Sequence, residues 1–232
     1  MCTSRTFPGL VLALSCTLGH ATLAAAQQPT AKEPPKAPEG WVLVEENVLI
    51  VFADEPEHKM KAAHESFLKK DMEATAADLR KAAAFVKLEA ARAAGDAKKG
   101  LVASATELEK LAGDVEKGTV SSSKTLEAAF ARAHQALAKH HHAKATESWA
   151  AKAEHATGHE LKAAAASVES AFKWGGKEME TGTEAVIKDS RYAAEKLIEG
   201  GGWVGEEVGK AIEKCGDETE KLGKWIEPAK KP

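Results

Sequence analysis

Histidines crowd one short stretch of the chain and are its clearest metal-binding candidates. Residues 137–160 read LAKHHHAKATESWAAKAEHATGHE and contain five of the nine histidines. Imidazole nitrogens are good ligands for zinc, copper and nickel, and two histidines four residues apart share one face of a helix. The candidate metal ligands of the whole chain are His64, His134, His140, His141, His155 and His159.

The spacing of these histidines argues against a site built within one helix. The consecutive histidines 140–142 point in directions about 100° apart on a regular helix. His155 and His159 have the right spacing, but Gly158 is predicted to end the helix between them. A closed site therefore needs ligands from a second helix. The candidates on that second helix are His64, Glu65 and Asp71.

Three interpretations of the histidine-rich stretch stay open. Consecutive histidines in the middle of a helix are typical of a solvated surface that retains metals weakly. The alternatives are a metal-buffering role and a closed, specific site. His64 and His134 differ, because each follows an alanine on an apolar stripe. Their ordinary role is a histidine at the core edge, bonded to a side chain or carbonyl; the functional alternative is a paired site for a metal, haem or a proton.

Motifs of known enzyme classes are missing from the sequence. It contains no nucleophile elbow, no phosphate-binding glycine loop and no zinc-protease helix. Glu55 and His58 form one Glu-x-x-His, but a di-iron bundle requires a second copy. Glu55 is instead predicted to stabilise a helix N-terminus. We predict no catalytic residue, no organic cofactor and no enzymatic activity.

The net charge and the cysteine content limit the classes of binding partner that the sequence favours. The formal net charge is −3, which does not favour nucleic acid. Of the three cysteines, Cys215 is the one outside the N-terminal segment, and it lies on an apolar stripe, so we predict a buried, unreactive thiol. The predicted partner is an unidentified protein or a second copy of the chain.

The N-terminal 26 residues are predicted to be a secretory signal peptide. An apolar run follows Arg5 and ends in three alanines, 24–26, before Gln27. A partial lipobox before Cys16 offers lipid anchoring as the less favoured alternative. The mature chain has no other run long enough to cross a membrane. These features predict a periplasmic or secreted protein.

The remainder is predicted to be an elongated, antiparallel, all-α bundle of about five helices over 54–232. A flexible linker rich in Pro, Lys and Glu precedes it at 27–40, and a short β-hairpin precedes it at 41–53. The predicted helices run over about 54–94, 96–117, 121–157, 159–198 and 203–226. Their apolar stripes are narrow and rich in alanine, which favours tight packing of long helices.

Two further features concern helices inside this bundle. The apolar register continues through Gly175 and Gly176, so we predict that both stay helical and let a neighbouring helix approach closely; a kink is the alternative. Residues 63–85 also match residues 133–155 at a shift of 70, with Ala-His at equivalent positions. This match suggests an internal duplication.

Two stretches carry a resemblance to known families. FLKKDMEATAADLRKAAAFVKLEA and LAKHHHAKATESWAAKA resemble YfdX-like proteins, and the histidine-rich half is similar to small periplasmic metal-binding helical proteins. The first resemblance implies a role in envelope stress without catalytic residues, and the second implies metal binding. We therefore expect a non-enzymatic envelope-stress or scaffold protein. The alternatives are a metal-binding or metal-buffering protein and, from the Lys/Glu/Gly-rich C-terminal stretch, a desiccation-protective helical protein.

Overall fold

The structure, a computed structural model, describes residues 53–226, and this part of the chain is entirely helical. Its seven helices are α1 (Glu55–Leu68), α2 (Met72–Arg92), α3 (Gly95–Glu116), α4 (Ser123–Ala150), α5 (Glu154–Trp174), α6 (Thr181–Glu199) and α7 (Gly205–Ile226). The all-α prediction is confirmed for these residues. The predicted signal peptide, linker and hairpin, apart from Ala53, lie outside the described residues and stay predictions.

The number of helices was underestimated because short breaks interrupt the long helices. The first break is at Lys69–Asp71, where Lys70 adopts the left-handed conformation with φ of 62°. The Asp71 side chain then caps α2 by accepting a hydrogen bond from the Ala74 amide at 3.0 Å. Asp is a preferred N-cap residue, so this start was readable in the sequence. The continuous apolar stripe on both sides of the break concealed it.

A second break corrects the prediction made for Gly158. The helix expected to reach Thr157 ends at Ala150, and Lys152 turns the chain with φ of 58°. Helix α5 then begins at Glu154 and runs through Gly158. A Cβ atom on Gly158 would lie 2.7 Å from the Ala194 carbonyl oxygen. This glycine therefore lets α5 approach α6 rather than ending a helix.

The glycine pair at 175–176 follows the end of α5, so the prediction of a continuous helix is wrong, and the interruption is a full break rather than the kink given as the alternative. The last helical residue is Trp174, and Gly176 has a φ of 66°. The close approach expected at this pair is nevertheless present. A Cβ atom on Gly175 would overlap the ring of Trp225 in α7.

The helices follow a tandem repeat of 82 residues, the separation of the left-handed turns at Lys70 and Lys152. The same separation relates the left-handed glycines Gly118 and Gly200, which follow α3 and α6. At this separation of 82 residues, every buried residue of α2 corresponds to a buried residue of α5. Every buried residue of α6 likewise corresponds to a buried residue of α3. Both turns also carry the same backbone hydrogen bonds. The structure therefore replaces the 70-residue shift with one of 82.

Helix α4 belongs to both copies of this repeat. Its residues 123–144 are equivalent to α7, and its residues 137–150 are equivalent to α1. The N-terminal half packs in the apolar cluster formed with α1, α2 and α3, while Ala138 and Ala145 of the C-terminal half pack with α5, α6 and α7. The middle of α4 is therefore the junction between the two copies.

Many of the buried apolar residues between the helices are alanines. Alanines such as Ala83, Ala133 and Ala165 are completely buried. Cys215 is also completely buried, so its predicted burial is confirmed, and burial raises the pKa of its thiol to about 11, which disfavours the reactive thiolate. Between residues 53 and 226, no helix combines the length and the apolar character needed to cross a membrane.

The close contact at Gly158 gives a test of the packing. Gly158→Ala should lower the free energy of unfolding by about 1–3 kcal/mol, because the new methyl group meets backbone atoms that cannot move aside. Gly209→Ala in α7 is the matched control, since a Cβ atom there meets nothing within 4 Å. It should stabilise the protein by about 0.5–1 kcal/mol. Urea unfolding measures both, and equal effects would contradict the predicted close contact.

Candidate metal centre

Five charged or titratable side chains meet at the junction between the two copies. Glu89 and Arg92 come from the last turns of α2, His140 and His141 from the middle of α4, and Glu160 from the second turn of α5. The side chains of the histidines and glutamates are 1–4% exposed, and that of Arg92 is 8% exposed. We call these five residues the junction cluster.

Direct contacts connect the whole junction cluster. Nε2 of His140 lies 3.0 Å from Oε2 of Glu89, and Nδ1 of His141 lies 2.7 Å from Oε2 of Glu160. Arg92 joins the two pairs, because its Nη1 donates to Oε2 of Glu89 at 2.9 Å and its Nη2 donates to Glu160. The ring centroids of the two histidines are 5.1 Å apart.

Both carboxylates of the cluster are held in the ionised form. Burial alone would raise the pKa of Glu160, but the hydrogen bond and charge of His141 and the neighbouring Arg92 lower it from 4.5 to about 2. Burial would also raise the pKa of Glu89, but the hydrogen bond of His140 and the charges of His141, Arg92 and His140 lower it overall. Two carboxylates face one guanidinium, so one negative charge must be balanced by a proton on a histidine or by a cation.

Three members of the cluster have the arrangement of metal ligands. One ligand atom from each of Glu89, His140 and His141 lies within 4.8 Å of the others, and among residues 53–226 no other group of three meets this criterion. In the tautomer whose Nδ1 donates to the ionised Glu160, the Nε2 atom of His141 has a lone pair available for a metal ion. A carboxylate behind a histidine is the usual outer partner of a metal ligand. Two imidazoles and one carboxylate suit zinc, copper or nickel.

His140 and His141 are buried, whereas three consecutive histidines are typical of a solvated surface. Each residue is 1% exposed, because the middle of α4 is covered by both copies of the repeat. His142 points elsewhere, and its Nε2 lies 3.1 Å from the Ile212 carbonyl oxygen in α7. Burial lowers the pKa of His142, which favours a neutral imidazole donating to that carbonyl.

His155 and His159 lie next to each other on α5, outside the junction cluster. Their ring centroids are 4.6 Å apart, so the expectation that they do not share a helix face is wrong. The cause is the continuation of α5 through Gly158. His155 is exposed and His159 is partly buried. Burial, followed by the charges of His155 and Lys162, lowers the pKa of His159.

His64 and His134 form a reciprocal pair of contacts between α1 and α4. Nε2 of His64 lies 3.0 Å from Oε1 of Glu127, and Nε2 of His134 lies 2.9 Å from Oε2 of Glu57. His64 follows Glu57 by seven residues in α1, whereas its partner Glu127 precedes His134 by seven residues in α4. The two helices are therefore antiparallel. Trp174 lies beside both pairs, with its ring 5.2 Å from that of His64 and its Nε1 donating to Glu57 at 2.7 Å. For His64 the contact corresponds to the predicted role at the core edge, whereas His134 lies within ion-pair distance of Glu57 without the geometry of a hydrogen bond.

The partners of the central histidines differ from those expected. Asp71 caps α2, Glu65 is exposed, and His64 contacts Glu127, so none of the three belongs to the junction cluster. From the sequence alone, Glu89, Arg92 and Glu160 were not identified as partners of these histidines. A signal was present, because Glu89 follows Val86 by three residues on the buried stripe of α2. A charged residue on an apolar stripe requires a buried partner.

Comparisons of the chain with protein-family models, with curated proteins and with solved structures find no match. The function is therefore argued from the junction cluster itself.

The low pKa of Glu160 predicts how stability depends on pH. A carboxyl group with a pKa of 4.5 when unfolded and about 2 when folded stabilises the protein by about 3 kcal/mol above pH 4.5. This contribution is lost as the pH falls from 4.5 towards 2. Glu160→Gln should lower stability at pH 7 and make it less dependent on pH in this range, as measured by urea unfolding. Glu207→Gln, at an exposed position of α7, is the control, and an unchanged profile in Glu160→Gln would contradict the assignment.

Proposed function

We propose that the protein binds one divalent transition-metal ion per chain, with Glu89, His140 and His141 as the ligands. Zinc, copper and nickel suit this set of nitrogen and oxygen atoms. The ligands come from α2 and α4, and Glu160 of α5 supports one of them from behind. The ion would therefore join helices from both copies of the repeat.

The observation that carries this proposal is a comparison between the two copies. The residues that follow Glu89 and His140 by 82 positions are Ala171 and Leu222, which pack in one apolar cluster. The repeat can therefore fill the same place with apolar side chains. Replacing buried ion pairs with apolar residues is often neutral or stabilising. A buried polar cluster in a place that the repeat can also fill with apolar side chains is best explained by a ligand.

The burial of the cluster favours holding an ion over catalysis. A catalytic metal keeps one position open to its substrate. The proposed ligands have side chains only 1–4% exposed, which leaves a substrate little access. The role that fits best is a non-enzymatic one, in which the protein retains or buffers a metal.

The cellular setting belongs to the same proposal. A periplasmic or secreted location is supported by the composition of residues 1–26, and metal buffering is useful in a compartment exposed to changing metal supply. A scaffold role in envelope stress through an unidentified protein or a second copy, supported by the family resemblance, is the alternative. Desiccation protection receives less support, because such helices are polar on all sides, whereas α7 has a buried face.

The test is a zinc titration of protein prepared without a histidine tag. Wild type should bind one zinc ion per chain with a dissociation constant at or below about 1 µM. The double variant Glu89→Ala and His140→Leu introduces the residues found at the equivalent positions of the second repeat, Ala171 and Leu222. It also leaves Arg92 paired with Glu160, so that neither charge is buried alone. This variant should keep its helical circular dichroism and cooperative melting, yet bind zinc at least about 100-fold more weakly.

His155→Ala combined with His159→Ala is the matched control, because it also removes neighbouring side chains from the histidine-rich stretch. Zinc binding by this variant should equal that of wild type. Binding that is lost here and kept in the Glu89/His140 variant would place the metal at the surface of α5. Failure of wild type to bind zinc, copper or nickel would reject metal binding and favour the scaffold alternative.

A further inference from the structure

Arg92 donates a hydrogen bond to a carboxylate oxygen of Glu89, one of the proposed metal ligands. Oε2 of Glu89 accepts from Nη1 of Arg92 at 2.9 Å and lies 3.0 Å from Nε2 of His140. A divalent ion bound to this oxygen and to His140 would lie next to the guanidinium. Both carry positive charge in a place with little water to screen them, so their repulsion is strong.

Arg92 has a second carboxylate within reach. Its Nη2 already donates to Glu160, whose other oxygen accepts from Nδ1 of His141. If Nη1 released Glu89, the guanidinium would keep an ion pair with Glu160. The release requires a small side-chain movement and leaves no buried charge unpaired. Glu160 would also continue to orient His141 for the metal.

From these contacts we infer that Arg92 is the cation that pairs with Glu89 in the metal-free junction cluster, and that it releases Glu89 when a metal ion binds. This inference rests on the proposed function and adds a regulator to the same site. Without metal, Arg92 neutralises Glu89 and holds the cluster together. With metal bound, the ion neutralises Glu89, and Arg92 keeps only its ion pair with Glu160 within the cluster. Arg92 therefore weakens metal binding while it stabilises the metal-free protein.

The second copy of the repeat shows that this position does not require a cation. The residue that follows Arg92 by 82 positions is Trp174, which packs against Phe130 with ring centroids 5.1 Å apart. The equivalent end of α5 therefore carries a large aromatic side chain in place of a cation. The positive charge at Arg92 is specific to the copy that carries Glu89.

The test compares zinc affinity and metal-free stability in Arg92→Met. Methionine keeps a long, flexible side chain and removes the charge. The dissociation constant for zinc should fall by at least about tenfold, because the ion no longer competes with the guanidinium. The melting temperature in the presence of a chelator should fall, because Glu89 and Glu160 lose their cation. A residue with only a structural role would lower stability without tightening binding.

Arg80→Met is the matched control, because Arg80 lies on the same helix and pairs with Glu116 at the surface. It should leave zinc affinity unchanged. Arg92→Trp, which copies Trp174, is the second variant if methionine prevents folding, and it should also bind zinc more tightly than wild type.

The outcomes separate this inference from the proposed function. If wild type binds zinc and the Arg92 variants bind it equally or more weakly, the inference is overturned while metal binding stands. If wild type binds zinc with a dissociation constant above about 1 µM and Arg92→Met binds it at least about tenfold more tightly, the inference is supported and only the affinity expected of wild type is wrong. If neither binds, both are rejected.

Discussion

Close contact between helices that meet through alanine and glycine is the constraint on which the structure depends. Alanines such as Ala83 and Ala165 are fully buried, and Gly158 brings α5 against the backbone of α6. Small side chains bury little apolar area each, so the helices must approach closely to gain enough dispersion energy. Close packing also removes water from the middle of α4. Any polar side chain placed there has to find its partners within the protein.

The junction cluster satisfies this requirement with charges of both signs. Arg92 joins Glu89 to Glu160, and each glutamate pairs with one histidine. Breaking one such buried pair is costly, whereas replacing the whole set with apolar residues need not be. The second copy of the repeat has Ala171 and Leu222 where the first has Glu89 and His140. This difference between the copies supports the proposed metal-binding role.

The 82-residue repeat provides a comparison within a single chain. Positions that are buried in both copies define what the fold needs, and positions that differ in character point to function. Ala131 and Ala138 of α4 are buried, while their equivalents in α7, Glu213 and Glu220, are exposed. The face that α4 uses for contacts is thus charged in α7, as expected for a capping helix in a repeat array. The same comparison separates the junction cluster from its apolar counterpart.

The sequence by itself determined the helical class, the apolar stripes and the burial of Cys215, because these follow from residue type and a period of 3–4 residues. It also singled out the histidines of α4. The tertiary structure decided that Lys70 and Lys152 reverse the chain, since turns without glycine or proline leave only a weak local signal. It also decided that Glu89 and Glu160 are the partners of His140 and His141. Those partners are 51 and 19 residues away, and a helical period gives no information about which faces of different helices meet.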